Sequence, residues 1–123
     1  MLQFKHPSDI SQLSPSDPAH PVTQDLISRL ITPLTSPSGH YDNDAYGWIV
    51  LIQEGDLERP LTDVWPDGEW TFLDIPWEGI LLRDGFFQAI YLANNDFGLV
   101  FIIPDAEWLS QSVREMLEKH LDP

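Results

Sequence analysis

"GILLRDGFFQAIYLANNDFGLVFII", residues 79–103, is the stretch whose reading decides the fold. Asp84-Gly85 separates two runs of β-formers, GILLR and FFQAIYLA, and such a dipeptide is a strong hairpin signal. NNDF then turns the chain into GLVFII, which is apolar at every position, as expected of a strand covered on both faces. One segment therefore predicts three successive antiparallel strands.

Upstream, YGWIVLIQ (residues 46–53) has the same two-faced apolar character and predicts a central strand. EGDLERP follows as a turn region. LTDVW and EWTFLDI flank PDG, whose proline and glycine suit a type I turn with a bulge, so they add a further hairpin. A helix is expected from Pro21, with Val22, Leu26, Ile27, Leu30, Ile31 and Leu34 at helical spacing. Pro33 predicts that it ends near Ile31 or Thr32. A second helix is predicted after Pro104, with Asp105 as N-cap, Glu107 in its first turn, and Leu109, Val113, Met116, Leu117 and Leu121 as its apolar face. The expected fold class is α+β: an antiparallel β-meander of five or six strands, one helix before it and one C-terminal helix after it. Residues 1–20 read as an extended proline-rich N-terminal arm, anchored by Ile10 and Leu13, and residues 21–123 as a single α+β domain.

Composition narrows the function classes. A chain of 123 residues with 42% hydrophobic content, five Trp, six Phe and three Tyr can fill a core without metals or disulfides. It contains no cysteine, which removes thiolate chemistry. Twenty acidic residues against six basic ones give a formal charge of −14. Nucleic-acid affinity needs clustered Lys and Arg, so direct nucleic acid binding is not expected, nor is attachment to an anionic membrane. The longest apolar run, Leu99 to Ile103, is too short to span a bilayer, and the N-terminus lacks a signal-peptide core. A cytoplasmic, bacterial protein is the expectation.

Motifs for chemistry are weak. DNDAYGWIVLIQ, residues 42–53, partly imitates a calcium loop, with Asp42 and Asp44 at its first and third positions. Tyr46 stands at the fifth ligand position and Gln53 where a bidentate Glu is required, so Asp42 and Asp44 read first as solvated loop residues. His6, His20, His40 and His120 show no metal-ligand spacing. There is no nucleophile elbow and no phosphate-binding glycine loop. No cofactor is expected.

"DVWPDGEWTFLDIPWEG", residues 63–79, holds three tryptophans and five carboxylates with no base. Asp63, Asp67, Glu69, Asp74 and Glu78 could supply an acid–base pair for hydrolysis, although a meander with two helices leaves little room for a cleft. The plain alternative is a core filled with Trp and turns decorated with acid. A third reading uses the field: between Asp42 and Asp84 stand eleven carboxylates against Arg59 and Arg83. Such a surface suits a binder of a basic protein partner, with aromatic anchors and carboxylates that steer the approach. The expected partner-binding residues are Asp63, Trp65, Asp67, Glu69, Trp70, Asp74, Trp77 and Glu78. On this reading the chain is a non-catalytic binding module, analogous in charge and size alone to toxin-immunity proteins and DNA-mimic inhibitors. The alternatives are a small hydrolase using paired carboxylates and a dimeric accessory subunit. Dimerisation, or coverage by the N-terminal arm, would bury the surplus apolar surface of WIVLI and LVFII.

Overall fold

Strand β5 (Gly98–Pro104) is buried along almost its whole length in the computed structural model, which describes residues 1–31, 48–62, 70–75, 77–84, 86–93 and 98–121. It lies at the centre of a five-stranded sheet in the order β1-β2-β5-β4-β3, where β1 is Leu2–Phe4, β2 Trp48–Leu51, β3 Gly79–Asp84 and β4 Phe87–Ala93. The β3–β4 and β4–β5 pairs are antiparallel, as Asp84-Gly85 and NNDF predict. The fold class is α+β.

The sheet is mixed, which corrects the expected all-antiparallel meander. β2 runs parallel to β5, with Trp48 opposite Leu99 and Leu51 opposite Ile102. Parallel neighbours require a long crossover, and residues 52–78 provide it by leading the chain to the far edge at β3. Two hairpins then return it to β5 beside β2. Those hairpins are written in local turn residues, whereas the β2–β5 pairing is non-local.

The crossover also departs from the expected hairpin. Phe72–Asp74 is one 3-10 turn and not part of a strand. The Thr71 backbone N–H and hydroxyl both donate to Asp74 Oδ2, at 2.9 and 2.8 Å, and the Asp74 N–H returns to the Thr71 carbonyl at 3.0 Å. Local side-chain bonds of this kind divert the backbone from a ladder. Of the companion segment LTDVW, residues 61–65, only Leu61 and Thr62 are among the described residues.

The N-terminal residues are built into the sheet. β1 pairs antiparallel with β2, placing Phe4 opposite Ile49, and a 3-10 turn follows at Pro7–Gln12. Asp9 organises that turn by accepting from the backbone N–H groups of Lys5 and His6 at 2.8 and 3.0 Å. Helix α1 spans His20–Leu26 and continues as a π-helical turn over Ile27–Ile31. Helix α2 spans Gln111–Leu121, starting later than expected. Ser110 takes the capping role foreseen for Asp105: its Oγ accepts from the Val113 N–H at 3.3 Å, and its carbonyl from the Arg114 N–H at 3.0 Å. The intervening residues drop Leu109 into the core.

Both sheet faces are covered by the chain itself. Ile49, Leu51, Val100 and Ile102 pack against Phe4, Leu13, Val22, Leu26 and Ile31. On the opposite face, Val50, Leu99, Phe101 and Ile103 pack against Leu57, Leu61, Phe72 and Trp77 from the crossover and Leu109, Val113 and Leu117 from the α2 region. Burying each such side chain contributes about 1.5–3 kcal/mol before conformational entropy is set against it. The apolar surplus of WIVLI and LVFII thus finds cover in the N-terminal segment and in the crossover.

Candidate functional site

The crossover holds the described members of the expected partner-binding set and sorts them by depth. Trp70 is 39% exposed and Leu73 50%, while Phe72 between them is sealed in the core. The Trp70 carbonyl accepts from the Leu61 N–H at 2.8 Å, which ties the two ends of the undescribed stretch together. Trp77 does not reach the surface; it is 7% exposed, with its ring centroid 4.7 Å from Phe101 and 5.5 Å from Phe72. Its Nε1–H donates to the Phe72 carbonyl at 3.0 Å, so the polar edge of the indole is satisfied inside. Glu78 is exposed, and its backbone N–H donates to the Tyr91 carbonyl at 2.8 Å. Asp63, Trp65, Asp67 and Glu69 lie outside the described residues, as do the metal candidates Asp42 and Asp44.

Asp74 is exposed yet occupied. The hydrogen bonds from the Thr71 backbone and hydroxyl hold its carboxyl below the usual carboxylate range. A carboxylate stabilised in its charged form is poorly suited to act as a general acid near neutral pH. Asp9 is lowered likewise, chiefly by the Lys5 N–H.

A residue that sequence reading passed over is Asp56, which is 5% exposed. Gly55, at φ 90°, starts the tight turn that sends its side chain inward. Asp56 Oδ2 accepts from the Gln53 N–H at 2.8 Å and lies 3.0 Å from the Met1 amino group, while Oδ1 meets Arg59 Nη2 at 3.0 Å. Burial pushes its pKa up, and the bonds from Gln53, the amino group and Arg59 outweigh that effect, leaving the pKa lowered. Asp56 therefore fastens the crossover to the β1 edge. The Asp-x-x-Arg spacing in EGDLERP was the available signal.

Charge is divided unequally between the two covering layers. Among the described residues, the layer formed by residues 53–78 and 105–121 carries nine carboxylates against Arg59, Arg114 and Lys119. The opposite layer, residues 5–31, carries Asp9, Asp17 and Asp25 against Lys5 and Arg29. The acidic excess thus lies with Trp70 and Leu73 on one side of the sheet.

A groove of about 200 Å³ opens in that acidic layer where the C-terminal end of β5 meets α2. Ile103, Leu109 and Leu117 supply its apolar lining, and Gln88, Asp105, Arg114 and Glu118 its polar groups. No spacing along the chain marks it, because its polar groups come from β4, from α2 and from Asp105 between β5 and α2. Among the described residues, no three His, Asp or Glu side chains converge as metal ligands. Nor is any described helix long and apolar enough to cross a membrane. No protein-family model, curated protein or solved structure matches the chain.

Proposed function

We propose that this chain is a non-catalytic protein-binding module whose acidic layer engages a basic protein partner, in the manner of an inhibitor that occupies a cationic surface. The observation that carries this reading is the unequal division of carboxylates between the two layers. An excess on one side gives a directed field, which raises the encounter rate with a positive partner and orients it. Trp70 and Leu73, both partly exposed beside Asp74 and Glu78, offer apolar anchor area within that field. The engagement of Asp74 by Thr71 favours binding over acid–base chemistry.

Association with a basic nuclease, measured by stopped-flow or surface plasmon resonance, tests the reading. Affinity is expected to weaken steeply as the Debye length shrinks from about 30 Å at 0.01 M salt to about 8 Å at 0.15 M. Changing Asp67, Glu69 and Glu78 together to Lys is expected to slow association at low salt by about tenfold or more, within the range electrostatic steering covers. An on-rate indifferent to both salt and charge reversal would remove the basis for the proposal.

A further inference from the structure

We infer that the groove between β5 and α2 is a receptor for an arginine side chain of the basic partner; this rests on the binding reading above and names the group that the acidic layer grips. The groove's volume of about 200 Å³ falls below the ~300–1,000 Å³ typical of small-molecule sites, so it fits a single side chain better than a free substrate.

Its polar groups define the ligand. Gln88 Oε1 is buried and has no hydrogen-bond partner among the described residues. A buried acceptor left unmade is costly, and a ligand that donates to it removes that cost. Glu118, exposed on the α2 wall, makes no ion pair among the described residues. Arg114 is already engaged, with Nη1 3.3 Å from Asp105 Oδ1 and Nη2 2.6 Å from the Ala106 carbonyl. Its charge is therefore balanced by Asp105, and it does not turn the groove into an anion site. Beyond the Asp105–Arg114 ion pair, the lining offers acceptors from two elements, neutral Gln88 on β4 and anionic Glu118 on α2, set about the apolar floor of Ile103, Leu109 and Leu117.

That combination selects a cation with several N–H donors and an aliphatic stem. The planar guanidinium presents its donors as a rigid fork able to serve two separated acceptors, whereas an ammonium is a compact point charge held more strongly by water. Phe86 adds a second cue. It is 75% exposed, and its carbonyl accepts the Asp105 N–H at 2.8 Å, which sets an aromatic residue at the end of the groove where Asp105 lies. An aromatic surface exposed there is the complement of a guanidinium entering from solvent.

Nona-arginine and nona-lysine peptides, titrated into the full chain by calorimetry and by amide-resolved NMR, test this inference. Wild-type protein is expected to bind nona-arginine more tightly than nona-lysine, with shifts centred on Gln88, Leu109, Leu117 and Glu118. Gln88→Leu and Glu118→Gln are each expected to weaken nona-arginine about tenfold and to abolish the preference over nona-lysine, as loss of a charge-assisted hydrogen bond would. The arginine-to-lysine ratio is the deciding quantity, because removal of one charge alone weakens both peptides alike. Glu118 is exposed, so its variant keeps the test intact if Gln88→Leu perturbs folding. Salt-sensitive binding of both peptides with an unchanged ratio in Glu118→Gln would overturn the groove and leave the acidic-layer reading standing. No binding of either peptide at low salt would overturn both.

Discussion

The indole Nε1–H of Trp77 donates to the carbonyl of Phe72 at 3.0 Å, and both rings pack against Phe101 at the centre of the sheet. This contact closes the crossover onto β5 and turns what looks like a binding residue into a core anchor. Trp77→Phe keeps most of the packing and loses the bond, at a cost of about 1 kcal/mol plus a small void. Trp77→Ala is expected to cost about 3–5 kcal/mol, the range for buried large aromatics. Urea denaturation followed by circular dichroism checks both, and a Trp77→Ala midpoint equal to that of the wild type would contradict this placement.

Trp70 and Trp77 show how far sequence reading reached. Both stand beside acids in one Trp-rich segment, and nothing in composition separates them. Their depths are set by Thr71 and Asp74, whose reciprocal bonds coil the chain into a turn, burying Phe72 and leaving Leu73 half outside. Elements fixed by near neighbours were legible: Asp84-Gly85 marked its hairpin, and the spacing of Val113, Met116 and Leu117 marked the α2 face. The parallel pairing of β2 with β5 was not, because apolar runs state how deeply a strand is buried and not which strand lies beside it. The groove escaped for a similar reason, since Gln88 in a strand and Glu118 on a helix carry no mutual spacing.

Asp56 gives the protein an acid-side weakness. Its pKa in the folded chain lies below the ordinary carboxylate value of 3.8, so the folded state holds the proton less readily than the unfolded chain does. The resulting stability is fully present above the ordinary carboxylate range and is lost as pH falls through the lowered pKa. Asp9 and Asp74 are shifted in the same direction and add to the trend. Asp56→Asn is expected to lower stability at neutral pH by about 1.5–3 kcal/mol, the scale of hydrogen bonds to a charged group. It should also flatten the dependence on pH between about 5 and 2. Thermal melts of both proteins across that range check the slope, and parallel curves would assign the acid sensitivity elsewhere.

Trp70 is expected to behave in the opposite way to Trp77. Trp70 is 39% exposed, so Trp70→Ala should change stability by no more than about 1 kcal/mol. On the binding reading, the same substitution should weaken a basic partner by about 2 kcal/mol, the threshold of an interface hot spot. Calorimetric titration beside a denaturation curve separates the two effects. A large stability loss with unchanged affinity would make Trp70 a packing residue only.

The two covering layers allow net charge to be separated from its placement. Asp25→Lys in α1 and Glu78→Lys at the end of the crossover change the formal charge by the same amount. Asp25 pairs with Arg29 at 3.0 Å on an exposed helix surface, where such pairs contribute about 0–1 kcal/mol, so neither variant should unfold the chain. A partner drawn by total charge alone would lose association rate equally with both variants. A partner guided to the acidic layer should respond several-fold more to Glu78→Lys, because screening confines the influence of each charge to about 10 Å at 0.1 M salt. Stopped-flow association at that ionic strength decides between them, and equal rates for the two variants would show that the excess charge attracts without orienting.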